Sequence, residues 1–335
     1  MTAEKKEKLR YVGNFPPPYG GVTIKNDLLC RKLGEYFDVD TVKSRSKLNQ
    51  VLWLVGCAFT HKKMVVGVSG TTGKSYAVTK ILYLFNRKRM KSSVYFMMGG
   101  TEHKRIEKSR KEIRMYSCYK KIYVELEAMK EALESAGLRN VEVYPNCREY
   151  KPFEKTVHSG FRCVFFSLIS KSKGADLALA AAEKNPDIAF DFYGHIEEPY
   201  ADEFKKNIAA LPNAAYKGVF KSNTDNVFAK LAEYDVMLFP TRCKTEGIPG
   251  VLAEAKMAGV PVIASDIAFN SLIVHDGVDG LVIKSDCAEE LDAAVKALSS
   301  DMALTEALKA GAKANGEDYD AEKYIPKIVS QLRGN

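Results

Sequence analysis

The sequence predicts an α/β protein of two domains, each a parallel sheet covered by helices on both faces. Short apolar segments alternate with amphipathic ones along the whole chain, as strands buried on both faces and their covering helices require. A length of 335 residues fits two domains at about 100–200 residues each. The charge also changes sign along the chain. Residues 1–150 carry 29 Lys+Arg against 15 Asp+Glu, a net +14, and residues 151–335 carry 21 against 27, a net −6. These observations predict two Rossmann-like domains facing across a cleft, over residues 1–150 and 151–316, with a final helix over 317–335.

The elements follow in order. Residues 9–14 read as a strand and 22–33 as the helix after it. Residues 64–69 are a continuous apolar strand before a helix at 75–85. Strands follow at 93–98 and 121–124, a helix at 127–135, and a strand at 141–144 ending in the turn pair Pro145-Asn146. The second half repeats the rhythm: a strand at 162–167, an Ala- and Leu-rich helix at 174–182, then strands at 188–193, 216–219, 236–239, 260–264 and 280–283. In open sheets of this kind ligands sit at the carboxyl ends of the strands. The chemistry is therefore expected in the loops after strands.

Composition narrows the function. With 46% apolar and 27% charged residues the chain is an ordinary globular protein, and no apolar run reaches the roughly 18–20 residues that span a bilayer. The start, MTAEKKEKLR, is charged and lacks the apolar stretch of an export signal. Seven scattered cysteines without a CxxC pair point to a reducing cytoplasm rather than a disulfide scaffold or zinc site. The basic half calls for an anionic partner. No helix-turn-helix, zinc finger or aromatic RNA-binding pattern is present, so nucleic acid is excluded. A membrane surface has a local candidate. Residues 48–59, LNQVLWLVGCAF, hold the only tryptophan, Trp53, with Lys43, Arg45 and Lys47 before them and His61, Lys62 and Lys63 after. Such a segment either lies in an anionic interface or is a buried helix with solvated ends.

Three loops could carry chemistry. FPPPYGGV, residues 15–22, places Gly20 and Gly21 at a helix start, as an anion site or a tight turn. VVGVSGTTGKS, residues 65–75, has the strand, glycine loop, Lys-Ser and helix order of a P-loop, with Val68 where the Walker spacing needs glycine. It reads as a P-loop, as an anion site made by the amides of Gly70, Thr71, Thr72, Gly73, Lys74 and Ser75, or as a structural turn. FPTRCKTEGIPGVLAEA, residues 239–255, holds Glu246 and Glu254 eight residues apart, with thin backbone at Gly247 and Gly250. A helix starting near Pro249 would point its N-terminus at this loop, and its two carboxylates could bind two hydroxyl-bearing rings.

On these residues the chain resembles the retaining glycosyltransferases of family 4, the group 1 glycosyltransferases with the GT-B fold. EGIPGVLAEAKMAGVPVIASD, residues 246–266, looks like the family's E-x7-E segment, and SKSKG, residues 170–174, resembles its Lys-Gly turn. The resemblance implies transfer of a sugar from a nucleotide diphosphate sugar, a UDP-sugar first, with retained anomeric configuration and no metal or other cofactor. Glu246 would hold the sugar hydroxyls. The amides of Gly247, Ile248, Pro249-Gly250 and Val251 would meet sugar and diphosphate. Glu254 would accept from the ribose hydroxyls, Lys173 would neutralise the diphosphate, and Gly20 and Gly21 would close over it. The N-terminal domain would take the acceptor and the C-terminal domain the donor, and the final helix would cross back to the N-terminal domain. Two positions depart from the family. Leu168 stands where an Arg is usual and Gly99 where a His is usual, with His103 the nearby substitute. On this fold, residues 70–75 become a site for the phosphate of a lipid-linked or polysaccharide-precursor acceptor, and the basic half a peripheral contact with the inner membrane face. An ATP-dependent P-loop enzyme and a non-catalytic nucleotide-sugar-binding protein are the competing readings.

Overall fold

The computed structural model describes residues 6–17, 20–41, 47–70, 73–154, 158–221, 224–244 and 247–334, without the side chains of 47–50, 52 and 53. Glu246, Thr71, Thr72, Lys43, Arg45 and the side chains of Lys47 and Trp53 therefore lie outside the described residues. The chain divides into two compact units, residues 1–149 with 321–335, and residues 150–320.

The first unit is a sheet of β1 (Lys8–Gly13), β2 (Asp38–Thr41), β3 (Lys63–Gly67), β4 (Val94–Phe96), β5 (Lys121–Val124) and β6 (Val141–Val143). All pairings are parallel, in the order β2-β1-β3-β4-β5-β6. The central strand β3, KMVVG, is buried at four of its five residues, because helices cover both faces. Leu9, Tyr11, Leu28, Val65, Phe96 and Tyr144 build the core. The helix Ile325–Arg333 adds Ile325, Ile328, Val329 and Leu332, spaced to form one helical face.

The second unit repeats the plan with β7 (Arg162–Phe166), β8 (Ala189–Tyr193), β9 (Ala214–Tyr216), β10 (Val236–Phe239), β11 (Val262–Ser265) and β12 (Gly280–Ile283). The order is β12-β11-β10-β7-β8-β9, again all parallel. The fold is thus α/β with two parallel six-stranded sheets. In each sheet the winding reverses once, between β1 and β3 and between β7 and β10. Loops leaving adjacent strands in opposite directions open a crevice there.

Some elements differ from expectation. The edge strand β2, DVDT, is absent from the sequence reading because aspartate is depleted in strands and two of its four residues are aspartates. β9 ends at Tyr216 rather than running over 216–219: Gly218 has φ +82°, outside the extended region of a regular strand, and Val219 is exposed. Residues 317–332 are not one helix. Turns at Glu317–Tyr319 and Ala321–Lys323 precede the helix Ile325–Arg333, whose first turn holds Pro326. Residues 48–59 form most of the helix Lys47–Ala58, with Cys57 and Ala58 buried but Val51 and Val55 exposed. Among the described residues no helix is long and apolar enough to cross a membrane. All seven cysteines are free thiols.

Candidate functional site

In the second unit the crevice is bounded by the loops after β7 and β10. β7 runs into Ser170, whose hydroxyl accepts from the Lys173 amide at 3.3 Å and caps the turn Lys171–Lys173. Gly174 then adopts φ +78° and opens the helix Ala175–Lys184. A Cβ at Gly174 would lie 2.1 Å from the Pro240 carbonyl oxygen, so only glycine lets this turn meet the loop after β10. Two further bonds join the loops: the Arg242 amide donates to the Ser172 carbonyl at 2.8 Å, and the Thr241 hydroxyl to the same oxygen at 3.4 Å.

Arg242 is the organiser that sequence reasoning missed. Its guanidinium donates to both Asp176 oxygens (2.7 and 3.0 Å), to Asp286 at 2.7 Å, and to the Lys171 carbonyl. The hydrogen bonds to Asp176 raise its pKa further. An Arg just past a strand end, facing a Lys-Gly turn, was the available signal. Lys173 is half-buried, and burial lowers its ammonium pKa, with Cys243 pulling the other way. An ammonium held out of water binds an anion more strongly than a solvated one.

The helix predicted near Pro249 runs Gly250–Met257, with Pro249 as its N-cap and no side chain capping it. The Leu252 amide donates to the Pro249 carbonyl at 3.1 Å, so among the described residues the Gly250 and Val251 amides are those left at the positive end of the helix dipole, where an oxyanion is stabilised. Glu254 lies in the second turn and is part-exposed, Ile248 is buried, and Gly247 begins the described part of the loop. The structure thus brings Lys173, Gly247, Ile248, Pro249, Gly250, Val251 and Glu254 into one unit, on the two loop systems flanking one crevice.

Gly20, Gly21, Gly70, Gly73, Lys74, Ser75 and His103 belong to the first unit. Gly20 is the N-cap of the helix Gly21–Gly34 and is bridged to Thr23, whose hydroxyl accepts from the Gly20 amide at 3.0 Å. Asn26, fully buried, ties both loops of this crevice: its amide donates to the Asn14 and Gly67 carbonyls at 2.9 and 2.8 Å, and Tyr11 donates to it at 2.9 Å. Gly73, φ +68°, caps the helix Lys74–Phe85, with Lys74 exposed and Ser75 fully buried. Glu102 packs under Gly70, where a Cβ would meet its carboxylate at 2.6 Å. Tyr95 and Tyr116 donate to that carboxylate at 2.8 and 2.9 Å, and Arg105 pairs with it at 3.2 Å. Its neighbour His103 is 5% exposed, and burial lowers its pKa. Leu168 and Gly99, the departures noted in the sequence, carry neither charge nor imidazole. Among the described residues no group of three or more His, Cys, Asp or Glu could hold a metal ion.

A Klebsiella pneumoniae protein described as an uncharacterized 41.2 kDa protein in the cps region is 26% identical over 160 residues, spanning 48% of this chain and 42% of that protein. The chain thus matches less than half of that relative's length. Among solved structures, Anabaena Alr3699/HepE in complex with UDP superposes with a TM-score of 0.73 at 17% identity, over 98% of this chain and 100% of that one. Its complex with UDP-glucose gives 0.71 at 18%, over the same shares. A sucrose-phosphate synthase from Thermosynechococcus elongatus gives 0.73 at 12%, over 98% of both chains. The two-sheet plan is that of the GT-B glycosyltransferases. The family model for glycosyl transferases group 1 matches residues 148–315, half of the chain and all of the crevice of the second unit. The chain belongs to the glycosyl transferases group 1 family.

Proposed function

We propose that this glycosyltransferase binds a nucleotide diphosphate sugar, a UDP-sugar first, in its second unit and transfers the sugar with retention to an anionic or lipid-linked glycan acceptor. One observation carries the reading: Lys173 and the uncapped helix N-terminus at Gly250 flank one crevice, on loops joined by the Arg242 amide. Lys173 and the amides of Gly247, Ile248, Gly250 and Val251 take the diphosphate, which makes a metal unnecessary. Glu254 takes the ribose hydroxyls and Glu246 the sugar. Gly20 and Gly21 close on the diphosphate from the first unit, residues 70–75 take an acceptor phosphate, and His103 acts in the transfer. The cps-region relative supports a polysaccharide precursor as acceptor. The acceptor side sits at the inner membrane face.

Thermal denaturation with UDP, GDP, ADP and ATP, each with Mg²⁺ and with EDTA, tests the donor side. A ligand at 100 times its Kd adds about 2.7 kcal/mol of stability. UDP stabilising the chain in EDTA supports the reading. Stabilisation only by ATP with Mg²⁺ overturns it in favour of a P-loop enzyme. Lys173→Ala should weaken UDP binding about tenfold or more, since charge-assisted bonds contribute about 1.5–3 kcal/mol. Glu254→Ala should weaken UDP more than it weakens inorganic pyrophosphate.

A further inference from the structure

The turn that carries Lys173 is held by a single residue of another loop. Lys171 and Ser172 are exposed, so apolar packing does not fix the turn. Lys171 pairs with Glu203 at 2.8 Å, but a solvated surface pair contributes little. Arg242, on the loop after β10, takes both carbonyls that precede Lys173: its amide donates to Ser172 and its guanidinium to Lys171. The same guanidinium meets Asp176, in the first turn of the helix Ala175–Lys184, through bonds of 2.7 and 3.0 Å. Lys171 and Asp176 bracket Lys173, and both are pinned to one planar group. A further bond, from Nε to Asp286 at 2.7 Å, reaches the loop after β12. Asp286 is placed by its own turn, taking φ +60° immediately before Cys287, the N-cap of the helix Ala288–Ser300. A guanidinium has five N–H donors, and four are used in these bonds. Its charge already faces two carboxylates. What Arg242 gives the site is therefore geometry rather than a further cation.

We propose that Arg242 is a positioning residue for diphosphate recognition, holding residues 171–176 in the arrangement that presents the Lys173 ammonium to the phosphates. The proposal rests on the donor reading above and names the residue that sets its geometry. The role requires arginine. A lysine ammonium is a point charge on a flexible stem and cannot hold a carbonyl and two carboxylates in one plane. Lys173 is half-buried, so a small displacement of the turn changes both its distance to an anion and its contact with water.

Calorimetric titration of UDP and UMP in EDTA against the full chain, Arg242→Lys, Lys173→Ala and the double variant tests it. Arg242→Lys should weaken UDP by about three- to tenfold, and by no more than Lys173→Ala does. UMP, which lacks the second phosphate, should lose less. Because Arg242 acts through Lys173, the double variant should bind UDP as Lys173→Ala does. Hydrogen exchange of the unliganded chains should be faster over residues 171–176 in Arg242→Lys and unchanged elsewhere. Asp176→Asn keeps the guanidinium and weakens one arm. It should shift UDP affinity in the same direction by a smaller factor, and it decides the matter if Arg242→Lys does not fold. Unchanged UDP affinity in Arg242→Lys overturns the proposal. So do losses that multiply in the double variant, which would make Arg242 independent of Lys173, and equal losses for UDP and UMP, which would make it a general support. A wild-type chain that binds no UDP overturns the donor reading and the proposal with it, and that result is read before any variant is made.

Discussion

Glu102 is 2% exposed, and burial is the largest influence on its carboxyl, raising the pKa above 4.5 against bonds from Tyr95 and Tyr116 and the charge of Arg105. The folded chain therefore holds this proton more tightly than the unfolded chain does. Ionised Glu102 costs stability progressively as pH climbs from 4.5 through the folded pKa. Glu102→Gln keeps the shape and removes the titration. The melting temperature of the variant relative to wild type should rise as pH goes from 4.5 to neutrality. An offset that stays constant across that range would show that the carboxyl titrates normally. Lys256 and Asp279 form the opposite case in the second unit, 1% and 0% exposed and 2.7 Å apart. Lys256→Met would leave the buried Asp279 carboxylate with its bonds from Asn315 and His275 but without the ammonium, and should cost about 3 kcal/mol, read from chemical denaturation. Neither Glu102 nor Asp279 was legible as buried in the sequence. A glutamate in TEHKRIEK reads as solvated surface, and burial of a charge depends on partners distant in the chain.

At the scale of elements, the strands and helices leading into the loops were legible because a strand covered on both faces must be apolar throughout. The helix beginning after Pro249 was legible for a different reason, since proline fixes the entry and glycine follows. What the sequence hid was how loops touch. Gly174 looked like a turn residue, but its need comes from Pro240, 66 positions later, whose carbonyl occupies the space of a side chain. Gly174→Ala places a side chain in the left-handed region, which costs about 1–3 kcal/mol. The Pro240 contact adds to that. The variant should lower the melting temperature and weaken UDP binding together, because the Lys171–Lys173 turn loses its register against Arg242. Loss of stability with UDP affinity intact would separate the turn from the nucleotide. Asn26 was equally hidden. Its burial rests on Gly13 and Gly67, where a Cβ would lie 2.9 and 2.3 Å from its side-chain atoms.

At the scale of the whole molecule, two sheets of the same winding each reverse once, and each reversal carries a pair of glycine-bearing loops. The first unit is the basic one by sequence, and the second holds the half-buried Lys173 and the helix that starts at Gly250. If nucleotide and acceptor phosphate divide between the units as proposed, each ligand should mark its own loops by hydrogen exchange. Bound groups slow exchange by stabilising the amides that hold them and the local structure around them. UDP in EDTA should protect amides over residues 170–176 and 247–254. A pyrophosphate-bearing lipid analogue added alone should instead protect residues 70–76, and Lys74→Ala should remove that protection while leaving the UDP pattern intact. Protection of 70–76 by ATP with Mg²⁺, with no effect of UDP on the second unit, would assign the Lys-Ser loop to a nucleotide and remove the acceptor site. Protection of both loop sets by UDP alone would mean that residues 70–76 serve the donor. In that case the acceptor would have to enter by another surface of the basic unit, and Lys74→Ala would then lower UDP affinity rather than acceptor affinity.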